Sequence, residues 1–216
     1  SDYFRGLHQS HGVDIREGVG LDHLIGTDHV TGAKLTDGTI LEIDFAAVGG
    51  GLNPATILAD SAGLTVGNGI VTDTHGRTSD PHIWAAGDCA TSLFGSDTIR
   101  IERVGNAIDQ AEAVAKNIMG ADAPYLPKPW FWSDQYDCKL QIAGLNIGYT
   151  DVYIRKGDAP RVQSNWYYNG DTLLAVDAMN DPRNYMIGKR LIEAGRSPAP
   201  SAITDPATDM KALLKP

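Results

Sequence analysis

The sequence predicts an α/β protein whose carboxyl-terminal part is an α+β domain with an antiparallel sheet, and three observations carry that expectation. Ala46-Ala47-Val48 runs into Gly49-Gly50-Gly51, the form of a small-residue strand opening onto a glycine loop where a backbone can approach a ligand. Ala107, Ile108, Ala111, Val114, Ala115 and Ile118 recur at helical spacing, and Gly120 closes that helix. Residues 139–143, 151–156, 161–168 and 172–177 have strand character, with a tight turn at Asn169-Gly170-Asp171 between the last two.

The remaining elements follow in order. Tyr3, Phe4, Leu7 and His8 have helical spacing, Gly12 stops that helix, and Val13-Asp14-Ile15 is expected to be a strand. Residues 28–35 and 39–45 flank an Asp37-Gly38 turn and form a hairpin. A short helix is expected over 55–62 and a strand at Ile70-Val71, before a loop at His75-Gly76-Arg77. Thr78 to Asp88 reads as a turn, a short buried strand and a Gly87-Asp88 at its carboxyl end. Ligands of open α/β sheets bind at the carboxyl ends of strands, which makes Asp88 the leading site residue. Pro124, Pro127 and Pro129 mark residues 121–130 as a linker. Asp181-Pro182 is a helix entry with a carboxylate cap, that helix runs to Gly195, residues 197–202 are a linker, and Asp205-Pro206 opens a terminal helix.

Composition excludes several classes of function. At 42% hydrophobic and 21% charged residues the chain can bury a core, yet no apolar run approaches the roughly 20 residues of a membrane helix. The first ten residues, SDYFRGLHQS, show no targeting pattern, so a cytoplasmic protein is expected. The net charge is −9, divided as −10 over residues 1–150 and +1 over 151–216. Such a chain, without a Lys/Arg run, cannot collect the phosphate contacts of a nucleic-acid binder. Cys89 and Cys138 form no Cys-x-x-Cys and are expected to be buried thiols. His8 and His11 lack a third ligand, so no metal site is expected. His82 reads as a packed strand residue. Phe94-Gly95-Ser96-Asp97 lacks the spacing of a Gly-x-Ser-x-Gly nucleophile elbow, which disfavours hydrolysis.

Four passages in order point to a family: AVGGGLNPAT at 47–56, TSDPHIWAAGDCA at 78–90, RIERVGNAIDQAEAVAKNIMG at 100–120 and PWFWSDQYDCKLQIAGL at 129–145. Together they resemble the carboxyl-terminal half of the FAD-dependent ferredoxin reductases that feed bacterial oxygenases, the putidaredoxin and rhodocoxin reductase type. The resemblance implies an incomplete two-dinucleotide-binding-domain flavoprotein fold. Residues 1–50 would complete an NAD-binding domain, 51–123 would return to an FAD-binding domain, and 124–216 would form a carboxyl-terminal interface domain. It further implies FAD as cofactor, NADH or NADPH as reductant, and a ferredoxin-type iron–sulfur protein as electron acceptor. Neither Gly-x-Gly-x-x-G turn that would hold the two pyrophosphates occurs in this sequence. The chain therefore reads as a fragment, inactive alone and prone to self-association through apolar faces. The alternative is a non-catalytic flavoprotein piece or protein-interaction module.

The resemblance assigns candidate cofactor-binding residues: Gly49, Gly50, Gly51, Gly87, Asp88, Glu102, Gly105, Asn106, Ala107 and Trp132. Asp88 would accept hydrogen bonds from ribityl hydroxyls, against its reading as an ordinary strand-end turn residue. Asn106 and Ala107 would present backbone N–H groups to the flavin, with Asn106 also read as a helix cap. Trp130 and Trp132 share a face if their segment is extended, with Phe131 opposite. The alternatives there are an interface core and a surface facing the flavin, with Trp132 implied near the ring. Two departures from the family pattern stand out. Asn53 precedes Pro54 where the family has Pro-Asn, and Glu102 is followed by Arg103 where the family has Ser. Arg155, Lys156, Arg161, Arg183, Lys189, Arg190 and Arg196 are candidates for docking an acidic partner, against a surface neutralised by Asp151, Asp158, Asp181 and Glu193.

Overall fold

The computed structural model describes residues 2–94 and 97–215. The chain forms two compact units, Ser1–Asn53 and Pro54–Pro216. The first begins with helix α1 (Asp2–Ser10), which buries Leu7 and ends where Gly12 takes φ +80°. Three short strands follow, β1 (Leu21–Ile25), β2 (Gly32–Leu35) and β3 (Ile40–Glu42), in an antiparallel sheet of that order. The hairpin expected around Asp37-Gly38 is β2–β3, with Lys34 opposite Ile40 and Gly32 opposite Glu42. Thr39 N–H donates to Asp37 Oδ1 at 2.9 Å, closing the turn.

Two expected strands of this unit do not form. Val13–Ile15 has no ladder partner among the described residues, and the Val13 N–H is drawn to the His8 carbonyl at 3.2 Å in the turn that ends α1. Ala46–Val48 is irregular, with Val48 81% exposed. A run of small apolar residues needs neighbours on both sides to become a buried strand, and none of the described residues supplies them.

The second unit opens with helix α2 (Ile57–Ser61), then β4 (Val66–Gly67), β5 (Gly69–Val71), β6 (Ala90–Phe94) and β7 (Asp97–Ile99), hydrogen-bonded in that order. Among the described residues the β5–β6 pairing is parallel, and β4–β5 and β6–β7 are antiparallel. The short buried strand expected within Thr78–Asp88 is instead an irregular return. Thr78 N–H bonds the Ile83 carbonyl, Ala85 N–H bonds the Gly76 carbonyl, and a single bridge joins Arg77 to Trp84. His82 is correspondingly exposed in a turn, its N–H on Asp80 Oδ1, rather than packed in a strand. Gly95 and Ser96, read above as no nucleophile elbow, lie outside the described residues. Helix α3 (Val104–Ile118) follows, burying Gln110, Val114 and Asn117.

Segment 121–129 has no regular structure, yet it is pinned rather than free. Asn117 bonds both the N–H and the carbonyl of Ala123, and Tyr125 N–H donates to the Thr74 carbonyl at 2.7 Å. Next come β8 (Trp130–Gln135), β9 (Cys138–Gly144), β10 (Asp151–Lys156), β11 (Gln163–Asn169) and β12 (Thr172–Met179). They form one antiparallel sheet, ordered β10-β11-β12-β9-β8. The β11–β12 turn centres on Gly170, at φ +54°.

Helix α4 (Pro182–Glu193) packs on β12 and β9, and Asp181 caps it by accepting from Asn184 N–H at 3.1 Å. The core between sheet and helices is Trp166, Tyr168, Leu173, Val176, Ile187, Leu191, Ile203 and Met210. The linker expected over 197–202 contains a helix, α5 (Pro200–Thr204), with Pro200 at its start and Ile203 fully buried. Asp205 ends that helix instead of opening one, and Asp209 caps a final 3₁₀ turn over Met210–Leu214. No helix among the described residues is long and apolar enough to cross a membrane.

Candidate functional site

Gly87 and Asp88 sit in a 3₁₀ turn (Gly87–Cys89) that leads into β6, so Asp88 stands before a strand rather than at the end of one. Gly87 adopts φ +79°, and a Cβ there would lie 3.3 Å from that of Ala107; glycine allows both the turn and the close approach to α3. The turn is held from three sides. Gly87 N–H donates to the buried Gln110 side chain at 2.9 Å, Arg100 donates to the Asp88 carbonyl at 3.0 Å, and Asp88 Oδ1 accepts from Arg103 N–H at 3.1 Å. The Asp88 carboxylate is thereby fixed beside the start of α3 while remaining exposed.

The residue before α3 is Arg103, and the cap expected at Asn106 is not there. Asn106 lies inside the first turn, where its side chain donates to the Ile101 carbonyl at 3.1 Å and accepts from the Tyr125 hydroxyl at 3.0 Å. Burial pushes the Tyr125 phenol pKa up, which keeps it a donor to Asn106. The Ala107 N–H is engaged by the Arg103 carbonyl at 2.8 Å. The N–H groups left without intrahelical partners are one turn earlier, at Val104, Gly105 and Asn106.

Those groups open onto a cavity of about 350 Å³ whose walls are residues 101–106 and the aromatic start of β8, Trp130, Phe131 and Trp132, closed by Asp109, Tyr125 and Lys128. The strand alternation places Trp130 and Trp132 on one face. All three rings are between 39 and 52% exposed in this chain. Glu102 lines the cavity with its carboxylate held by Arg100 at 2.6 Å.

Of the candidate residues, Glu102, Gly105, Asn106 and Trp132 line this cavity; Gly87 packs on Ala107 of α3, and Asp88 bonds the backbone at the start of that helix, all three outside the cavity lining. Gly49, Gly50 and Gly51 belong to the first unit, and a Cβ built on Gly49 or Gly51 meets nothing within 4 Å. Three residues that organise the site were not singled out from sequence: Gln110, Arg100 and Tyr125. Gln110 carried a weak signal, since it falls at helical spacing from Ala107 and Val114, although it shares that buried face with Asn117.

Cys138 is 1% exposed, whereas Cys89, expected to be buried, is only half-buried, one residue beyond Asp88. His11 turns its Nδ1 to the Leu7 carbonyl at 2.9 Å. No group of three metal-ligating side chains occurs among the described residues.

A cavity between a helix start and an aromatic strand, with an exposed carboxylate bonded to the backbone at that helix start, lies on an α/β frame followed by an antiparallel α+β region. Residues 1–111 match the pyridine nucleotide-disulphide oxidoreductase family model and residues 130–214 match the reductase C-terminal model, so the chain belongs to the pyridine nucleotide-disulphide oxidoreductase family. It is 39% identical, over its whole length, to a ferredoxin–NAD(P)+ reductase from a Sphingomonas species, of which it covers 53%. It is 38% identical over 99% of its length to putidaredoxin reductase from Pseudomonas putida, covering 52% of that protein. A ferredoxin reductase structure from Rhodopseudomonas palustris superposes with a TM-score of 0.95 at 38% identity, over the whole chain and 54% of that structure. The reductase in a covalent putidaredoxin reductase–putidaredoxin complex gives 0.91 at 37% identity, over 99% of the chain and 52% of that structure. The chain spans about half the length of the relatives it matches.

Proposed function

We propose that this chain is part of an FAD-dependent NAD(P)H:ferredoxin reductase that delivers electrons from NADH to an iron–sulfur protein serving an oxygenase, in the cytoplasm. The observation that carries the reading is that the α3 start is bonded by Asp88 and shares a cavity with Trp132, in a chain alignable from end to end with such reductases. The arrangement fits a flavin. Asp88 is an exposed acceptor for hydroxyl groups, the Val104–Asn106 N–H groups favour negative charge, and the indoles supply an apolar wall. Bound FAD would supply the conversion between paired and single electrons. The chain's own residues orient and electrostatically support it: Gln110 and Arg100 hold the Asp88 turn in place, and Trp130 and Trp132 exclude water from the cavity wall.

In this reading residues 1–50 complete an NAD-binding domain, 51–123 belong to the FAD-binding domain and 124–216 form the interface domain. The break between the two family matches, after residue 111 and before residue 130, supports the second boundary. Docking of an acidic iron–sulfur partner would fall to few of the seven cations. Arg155 and Arg196 bind main-chain carbonyls, Arg161 pairs with Asp137, Arg183 with Asp209 and Lys189 with Glu193. Lys156 and Arg190 are exposed and form no ion pair among the described residues.

The test is the full-length protein reconstituted with FAD: it should reduce a one-electron acceptor with NADH or NADPH, and inactivity with both refutes the reading. The 216-residue chain, lacking both pyrophosphate-binding turns, should show no such activity. It should also self-associate in sedimentation, because Leu58 and Met119 are each 85% exposed. A colourless full-length preparation that takes up no flavin would favour the interaction-module reading.

A further inference from the structure

Arg103 reaches across the cavity that the helix start and β8 enclose. Its backbone is extended, at φ −153° and ψ 138°, so the side chain leaves the helix axis towards the strand. Nη1 donates to the Trp130 carbonyl at 2.5 Å, and the guanidinium carbon stands 4.2 Å from the centroid of the Phe131 ring. Phe131 and the carbonyl before it therefore grip one planar cation, an arrangement that suits the flat, multi-donor guanidinium better than a compact ammonium.

That cation has no carboxylate within ion-pair distance among the described residues; the adjacent Glu102 is taken by Arg100. Burial lowers the Arg103 pKa, and a guanidinium still keeps its charge at neutral pH. Strand β8 is an edge of its sheet, paired only with β9. The contact to Arg103 is thus a second anchor for Trp130, whose indole rests on α3 with its nearest atom 3.7 Å from where a Gly105 Cβ would be.

We propose that Arg103 is a positioning residue that latches the start of β8 to the start of α3 and holds a fixed positive charge in the cavity. The latch follows from the contacts alone. Its effect on the cofactor rests on the flavin reading above: reduction adds negative charge, which a nearby cation stabilises, so Arg103 should raise the midpoint potential.

Two measurements test this on Arg103→Ser, Arg103→Gln and Arg103→Lys. Hydrogen exchange of the 216-residue chain reads the latch: in Arg103→Ser the β8 amides should exchange about tenfold faster, the loss of one charge-assisted hydrogen bond, while β10–β12 are unchanged. Unaltered β8 exchange in that variant overturns the latch. The midpoint potential of the full-length FAD-loaded protein reads the charge: Arg103→Ser and Arg103→Gln should shift the reduced-to-oxidised ratio about tenfold towards oxidised, or about 30 mV for a two-electron couple. Arg103→Lys should restore the potential without restoring β8 protection. A potential unmoved by Ser and Gln makes Arg103 a merely structural contact and overturns the positioning role. Full-length protein that holds no FAD ends the flavin reading, and the exchange measurement then still decides the latch.

Discussion

Residues 130–214 and residues 2–53 spend their apolar side chains in opposite ways. In the first region Trp166, Val176, Leu191 and Ile203 are 0% exposed, packed between a five-stranded sheet and two helices. In the second, Leu7 and Ala33 are the buried hydrophobic residues, while Ile40, Phe45 and Val48 are 64, 78 and 81% exposed. Both regions build antiparallel ladders from neighbouring strands, but the five-stranded sheet is covered by α4 and α5, whereas β1–β3 are three to five residues long and bury little on either face. The carboxyl-terminal region therefore carries most of the buried apolar core of the two, and the amino-terminal one little.

Truncation in the two regions should separate them most strongly. Trp166→Ala is expected to destabilise the carboxyl-terminal region by about 3–5 kcal/mol, from lost burial and the cavity left behind, whereas Phe45→Ala should stay within about 0.5 kcal/mol. Denaturation of both variants, followed by hydrogen exchange in each region, checks this. Comparable losses would mean that Phe45 is buried in solution and would break the contrast.

A smaller effect is expected where the site meets the core. Asp88→Ala in the FAD-loaded full-length protein should cost about 1.5–3 kcal/mol of binding, one to two decades in affinity. Flavin occupancy after dialysis is the readout, and unchanged occupancy removes Asp88 from the site. Part of any loss comes through the start of α3, because the Arg103 N–H would lose one of its two acceptors and keep only the Ile101 carbonyl, at 3.1 Å.

The smallest effect lies within the five-stranded sheet. Burial raises the Asp177 pKa, although the hydrogen bond it accepts from the Tyr167 hydroxyl, at 2.7 Å, works the other way. A carboxyl whose folded pKa lies above its unfolded one binds more protons when folded. Its favourable contribution is therefore present at low pH and is lost as pH rises through the raised value. Asp177→Asn should stabilise the chain by roughly 1 kcal/mol more at pH 7 than at pH 4. Equal shifts in urea midpoint at the two pH values would show that Asp177 carries no such linkage.

What the sequence made legible follows the same division. The Asp181-Pro182 cap, the Asn169-Gly170-Asp171 turn and the apolar stripe of α3 are local signals, and each element formed within a few residues of its expected place. Val13–Ile15 and Ala46–Val48 carry strand composition, but a strand exists only with a partner, and composition does not name one. Helix α5 hid inside an Ala/Pro/Ser stretch because its stability comes from burying the single side chain of Ile203. At the candidate site, Asp88 is marked by an expected strand end that is a 3₁₀ turn, and Trp132 by the family resemblance. The Gln110 and Arg100 contacts span 23 and 12 residues and arise only when the chain folds back.

The unequal burial of the two cysteines gives the molecule a built-in reporter. Cys138 is sealed within the sheet, and Cys89 is half-buried in the same 3₁₀ turn as Asp88. Under native conditions a thiol-reactive dye should mark one position, next to the carboxylate, without any engineered residue. The rate of that labelling then serves as a clock for the opening of the turn that Gln110 and Arg100 hold shut.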